Sequence, residues 1–227
     1  MNGKRLDLYG PIHKALRSFM ADTLGAIGRM DAEDDGERAG ALAQLRSLID
    51  VMEHHADVED EFIHVAMQSR QPGSAEPRGD EHRRQRAALR DLRQLADDVE
   101  RASGEGLAAL SQRLYRNLAL VVAENLAHMD EEESLHNAVL WAEFSDVELA
   151  AIHDRIVASI EPRQMAELIR WMAPSLTPAE RAALFGNLRS SAPADVFRRL
   201  LEVARPHLAQ RDWNKLVFSI SAPPLAA

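Results

Sequence analysis

The sequence contains no cysteine, which excludes disulfides, zinc-thiolate sites and iron-sulfur clusters. Any metal must be held by histidine nitrogen or carboxylate oxygen. An excess of basic residues is also missing: 27 Lys and Arg stand against 36 Asp and Glu, a formal charge of -9. A general nucleic-acid binder needs a basic footprint to release phosphate counterions, so that class is set aside. No apolar run approaches the roughly 18 residues that cross a membrane. The opening MNGKRLDLYG is too polar to hold the apolar stretch of a signal peptide. The expectation is a cytoplasmic protein whose partners include neither nucleic acid nor membrane.

Strand signals are scarce too. β-branched residues are few, alternation is absent, and Ala, Leu, Arg and Glu dominate, all good helix formers. The fold class is all-α. With 227 residues the chain is long enough for one full core plus a smaller module. Apolar stripes at steps of three and four predict helices over about residues 7–29, 38–69, 80–102 and 107–144, separated by Gly- and Pro-containing breaks. Four long helices with short loops favour an antiparallel four-helix bundle, residues 1–145. Beyond it the texture changes to short helices punctuated by proline, with capping boxes at Ser145–Glu148 and Thr177–Glu180. Residues 146–227 are therefore expected to form a smaller helical extension ending in a frayed tail.

The nine histidines carry the chemistry. His13 continues the inward series Leu6, Tyr9, Leu16, Met20. His55 and Glu59 follow Met52 on the second stripe, and His82 starts the third. On the fourth, Asn125, His128 and Glu132 interrupt an apolar series that resumes at Leu135. Each predicted helix thus sends a histidine into the core. Buried imidazoles and carboxylates are costly unless bonded or coordinated. His55 and Glu59 are four apart, as are His128 and Glu132, a spacing that stacks two side chains about 5 to 6 Å apart on one helical face. Mixed imidazole and carboxylate donors suit iron or manganese better than magnesium or calcium, and carboxylates can bridge two cations. A single inward histidine is more often a plain core residue; four on four stripes are not independent accidents. Glu133 is an alternative to Glu132 if the last helix is slightly rotated. Glu61-x-x-His64 and Glu133-x-x-His136 spell the pair used by ferritin-like di-iron bundles. At about 100° per residue, however, Glu61 and His64 fall away from the core stripe. His54 is expected at the surface or the rim, and His153 and His207 are read as structural. Tyr9 and Tyr115 are read as aromatic core residues.

Ile12-His13-Lys14-Ala15-Leu16-Arg17, His55 to His64, Glu81-His82 and His128 to Glu132 occur in an order that resembles the hemerythrin and HHE cation-binding family, over roughly residues 5–144. The resemblance implies a hemerythrin-like bundle holding two non-heme iron ions. It implies His13, His55, His82 and His128 as terminal ligands and Glu59 and Glu132 as bridging carboxylates. Oxygen-carrying hemerythrins place a further histidine four residues after the one on the third helix; here that position is Arg86, with Arg78 on the other side. The pattern is closer to four-histidine relatives that sense iron and oxygen.

The first functional expectation is a protein that binds or senses dioxygen, nitric oxide or iron/redox state. It places the protein among metal binders rather than enzymes, with a homodimer contact or a protein partner through the extension. A di-iron redox enzyme, reducing oxygen, peroxide or nitric oxide or oxidising iron for storage, is the second. The third is a metal-independent helical scaffold, with Trp141, Trp171 and Trp213 as interface anchors, although a core role suits each of them at least as well.

Overall fold

The computed structural model describes residues 5–221, with side chains throughout except at 76–80. The tail expected to fray, 222–227, and the side chain of Arg78 lie outside the described residues. Among these residues every regular element is helical and none is a strand. No helix among the described residues is long and apolar enough to cross a membrane.

Helix α1 is Gly10–Arg29. Helix α2, Asp35–Val58, starts where the Asp34 carboxylate accepts hydrogen bonds from the amides of Gly36 and Glu37, satisfying donors that the first helical turn leaves open. It runs without a break into a π-helical turn, π1 (Glu59–His64), and then α3, Val65–Arg70. Helix α4 is Glu76–Arg101, starting four residues earlier than the breakers suggested. Gly104, at φ 63°, precedes α5, Glu105–Glu131, in a conformation that glycine takes without penalty. A second π-helical turn, π2 (Glu132–His136), joins α5 to α6, Asn137–Glu143. The remaining helices are α7 (Asp146–Ser159), α8 (Pro162–Ser175), α9 (Pro178–Ser191), α10 (Ala194–Ala204) and α11 (Gln210–Ser221). Both expected capping boxes form: Ser145 with Glu148 before α7, and Thr177 with Glu180 before α9.

By their contacts the residues fall into two compact units, Met1–Tyr9 with Phe19–Ser159, and Gly10–Ser18 with Ile160–Ala227. In the first, α4 packs against both α2 and α5, and Gln44 on α2 donates to Asp22 and Thr23 on α1. The apolar stripes are buried here: Leu45, Leu48, Ile49 and Met52 of α2, Leu89, Leu92, Ala96 and Val99 of α4, and Leu114, Leu118 and Val121 of α5. At one end a second cluster gathers Tyr9, Phe62, Ile63, Met67, Leu140, Phe144, Leu149 and Ile152. Arg5 ties the amino-terminal segment to this end by donating to the carbonyls of Trp141 and Phe144 and to Asp146. The second unit has its own core of Ile169, Ala173, Phe185, Leu188, Leu200, Ala204, Leu208 and Leu216.

Two expectations fail here. Tyr115 is 41% exposed rather than a core residue; its ring lies over Gly28, where a Cβ would come within 2.8 Å of it. Leu135 is 56% exposed, because it lies within π2 and the wider turn carries it off the stripe.

Candidate metal centre

Of the six residues singled out as ligands, five lie on the helical runs of the first unit: His55 at the end of α2, Glu59 opening π1, His82 on α4, His128 near the end of α5, and Glu132 opening π2. The sixth, His13, is fully buried on α1, in the stretch grouped with the second unit. Glu59 and Glu132 are 1% and 0% exposed. His55 Nε2 is 3.1 Å from Glu59 Oε1, and His128 Nε2 is 3.1 Å from Glu132 Oε1, so the four-residue spacing does stack each pair. His82 Nε2 lies 3.1 Å from His128 Nε2, 3.5 Å from Glu59 Oε2 and 3.8 Å from Glu132 Oε1. Donor atoms of Glu59, His82, His128 and Glu132 all lie within 4.8 Å of one another, and so do those of His55, Glu59 and Glu132. Glu132, not the half-buried Glu133, faces these groups.

The ring orientations are fixed from behind. Asp60 Oδ1 accepts from Nδ1 of His82 at 2.8 Å, and Glu81 Oε2 accepts from Nδ1 of His128 at 3.0 Å. Each bond leaves Nε2 as the nitrogen turned to the carboxylates, the arrangement by which outer carboxylates hold metal-binding imidazoles. Asp60 is itself held by Arg86, whose Nη2 donates to Asp60 Oδ2 at 2.7 Å and to Asp57 Oδ1 at 2.6 Å. Arg86, standing where a carrier's extra histidine would be, thus anchors the carboxylate that orients His82.

Electrostatics follow the same map. Burial opposes the charged form of Asp60, but hydrogen bonds from Arg86 and His82 prevail and hold its carboxyl below the usual range. Burial alone would lower His82; the adjoining Glu132, Glu59 and Asp60 instead push it up to about 9. Burial and the charge of Glu59 both resist ionisation of Glu132, yet hydrogen bonding to His128 and His82 keeps its pKa below normal. Tyr9 is raised well above a normal phenol by burial, then by Glu59 and Glu132.

Two histidines set aside by sequence reasoning belong to this neighbourhood. His64 and His136 are 7% and 2% exposed, and donor atoms of His64, His136 and Glu132 lie within 4.8 Å of one another. The 100° step that placed His64 off the core stripe holds for an α-helix. A π turn advances each residue through a smaller angle, so a residue five positions on returns to the same face, and Glu59 to His64 is such a step. The five-residue spacing was the available signal. Glu61, its partner in the ferritin-like pattern, is exposed, so that pairing does not form. His54 is half-buried, as expected of a rim residue, while His153 and His207 are on the surface.

The donors fit a cation. Ligands at right angles on a metal with bonds of about 2.1 Å sit about 3 Å apart, close to the 3.1 Å separations found. The donor set is entirely nitrogen and oxygen, and His64 Nε2 is a buried polar atom with no hydrogen-bond partner, the kind of atom that calls for an unseen ion or water. Beside the centre a cleft of about 350 Å³ is lined by Glu81, Gln85, Asn125 and His128 among others.

The model of the hemerythrin HHE cation binding domain matches residues 7–138, more than half of the 227. No curated protein and no solved structure matches the chain. With its helical bundle and its buried histidine and glutamate clusters, this chain belongs to the hemerythrin HHE cation-binding domain family.

Proposed function

We propose that the protein is a non-heme di-iron protein of hemerythrin type that binds or senses dioxygen, nitric oxide or iron/redox state. The observation that carries this reading is the burial of two carboxylates, Glu59 and Glu132, among imidazoles whose Nε2 atoms lie 3.1 Å from their oxygens. Two anions in so dry a place are expensive unless cations compensate them. In this reading His13, His55, His82 and His128 would hold the metal as terminal ligands, and Glu59 and Glu132 would serve as the shared carboxylates. His13 enters through its inward register and its burial. Nitrogen and oxygen donors of this kind suit iron. When bound, iron supplies one-electron redox chemistry and coordination positions open to a diatomic molecule.

The chain's own residues shape access and hold the ligands. Asp60 and Glu81 keep the Nε2 atoms of His82 and His128 turned inward. Tyr9, Phe62 and Leu140 pack one end of the unit and exclude water there. The cleft beside His128 gives a small molecule a way in. Arg86, fixed on Asp57 and Asp60, cannot act as the extra ligand of an oxygen carrier, which favours sensing over reversible carriage. The same cleft favours a second reading, a di-iron redox enzyme turning over oxygen, peroxide or nitric oxide.

Visible absorption of the iron-loaded, reduced protein on exposure to oxygen or nitric oxide tests this. A change that does not revert under vacuum, with no continued consumption of gas, is expected of a sensor. Reversal under vacuum would indicate carriage, and sustained consumption an enzyme. An unchanged spectrum with both gases would overturn the proposal.

A further inference from the structure

His64 and His136 are not in the four-histidine set that the family resemblance implies, yet they are arranged as the members of that set are. Both are buried. His64 Nδ1 donates to Asp60 Oδ1 at 2.9 Å, the same oxygen that holds His82 at 2.8 Å. His136 Nδ1 lies 3.0 Å from Tyr9 Oη. The His64 ring stacks on His82 and meets His136 edge-on, with centroids 5.2 Å apart in each case. With Nδ1 committed to Asp60, His64 carries a lone pair on Nε2, and that buried atom has no hydrogen-bond partner.

The backbone makes the same point. Each π-helical turn begins at a buried glutamate and ends at one of these histidines, Glu59 to His64 and Glu132 to His136. π turns are rare and concentrate at functional sites. Here they occur on both helical runs that supply the carboxylates, and in each the histidine that closes the turn is buried.

We infer that His64 and His136 are two further imidazole ligands of the cation centre, binding through Nε2 on the Glu132 side. Six histidines then serve the centre instead of four, and the place left by Arg86 is filled from π1 rather than from α4. Tyr9 accepts from His136 Nδ1 and so fixes its ring as Asp60 fixes that of His64. This inference rests on the metal-centre reading above, and the test separates the two.

The probe is zinc, added to metal-free full-length protein carrying ¹⁵N-labelled histidine, with side-chain nitrogen resonances followed by NMR. The expected result is that the Nε2 resonances of His64 and His136 move on saturation together with those of His55, His82 and His128. Movement of the latter three alone would overturn this inference and leave the metal centre standing. If none moves, the metal centre itself fails. A second measurement uses His64→Gln and His136→Gln, each checked for an unchanged helical circular dichroism spectrum. Each is expected to weaken zinc binding by about tenfold or more, and parent-like affinity in both would also overturn the inference.

Discussion

The helices α8–α11 and the helical runs that carry the two π turns bury charge in opposite ways. In the former, the buried Arg181 is answered by the chain itself: its guanidinium donates to the carbonyls of Ala173 and Leu176, and Asp212 stands 3.7 Å away. Such a group fixes the ends of helices and leaves no site. In the latter, Glu59, His64, His82, Glu132 and His136 are all buried and turned toward one another, with two carboxylates sharing one small volume. Like charges brought together out of water must be compensated, by charged imidazoles such as His82 or by a bound cation, or stability is lost. A lone buried charge satisfied by backbone is structural; a convergent set that adds like charge to like is functional.

The sharpest way to break this contrast is Glu59→Gln. In metal-loaded protein it is expected to lower stability by about 3 kcal/mol, the scale for disrupting a compensated buried charge. In metal-stripped protein the same change removes a repulsion with Glu132 as well as an attraction to His82, and the loss is expected to be clearly smaller. Denaturation with and without chelator reads the difference; equal losses in both states would make Glu59 structural. Arg181→Ala should behave otherwise. Leaving two carbonyls unanswered is expected to cost about 2 kcal/mol, by the same amount with or without metal.

A smaller effect sharpens the role of the outer carboxylates. Asp60→Asn is expected to weaken metal binding by about 10- to 100-fold while the helical spectrum is kept, and a metal titration that matches the parent would remove Asp60 from the account. Smallest is the half-buried pair Lys14 and Glu180, 2.7 Å apart. Hydrogen bonding to Lys14, ahead of the Thr177 contacts, lowers Glu180 from 4.5 to about 2. A lowered carboxyl stabilises the fold above its unfolded value and loses that contribution as pH falls through the folded one. The stability gap between the parent and Glu180→Gln should therefore be full above about pH 4.5 and gone near pH 2; a gap that persists at pH 2 would assign it to some other contact.

Much of the fold is legible in the sequence. The stripes through Leu48, Leu92 and Leu118 are buried, because regular α-helix turns periodicity directly into a face. The capping boxes at Ser145 and Thr177 form for the same local reason. Of the site, the pairs His55 with Glu59 and His128 with Glu132 are readable as four-residue steps within α-helix. His64 and Leu135 are misplaced by that rule because the chain changes helical pitch at Glu59 and Glu132, and periodicity counted at 3.6 residues per turn has no term for it. His136, four residues after Glu132, shares its face at either pitch and is passed over only because the ferritin-like pattern it spells needs inward glutamates that the other two helices lack. Asp60, Glu81 and Arg86 escape for a different reason. They are half-exposed polar residues with no periodic signature, and their roles depend on which imidazole the packing of α4 against α2 and α5 brings to them.

The most direct measurement is the iron content of folded protein, purified aerobically and anaerobically, with the helical circular dichroism spectrum taken on the same sample. About two iron ions per chain are expected. Fewer than one per chain with the helical spectrum intact would contradict a di-iron centre at Glu59 and Glu132.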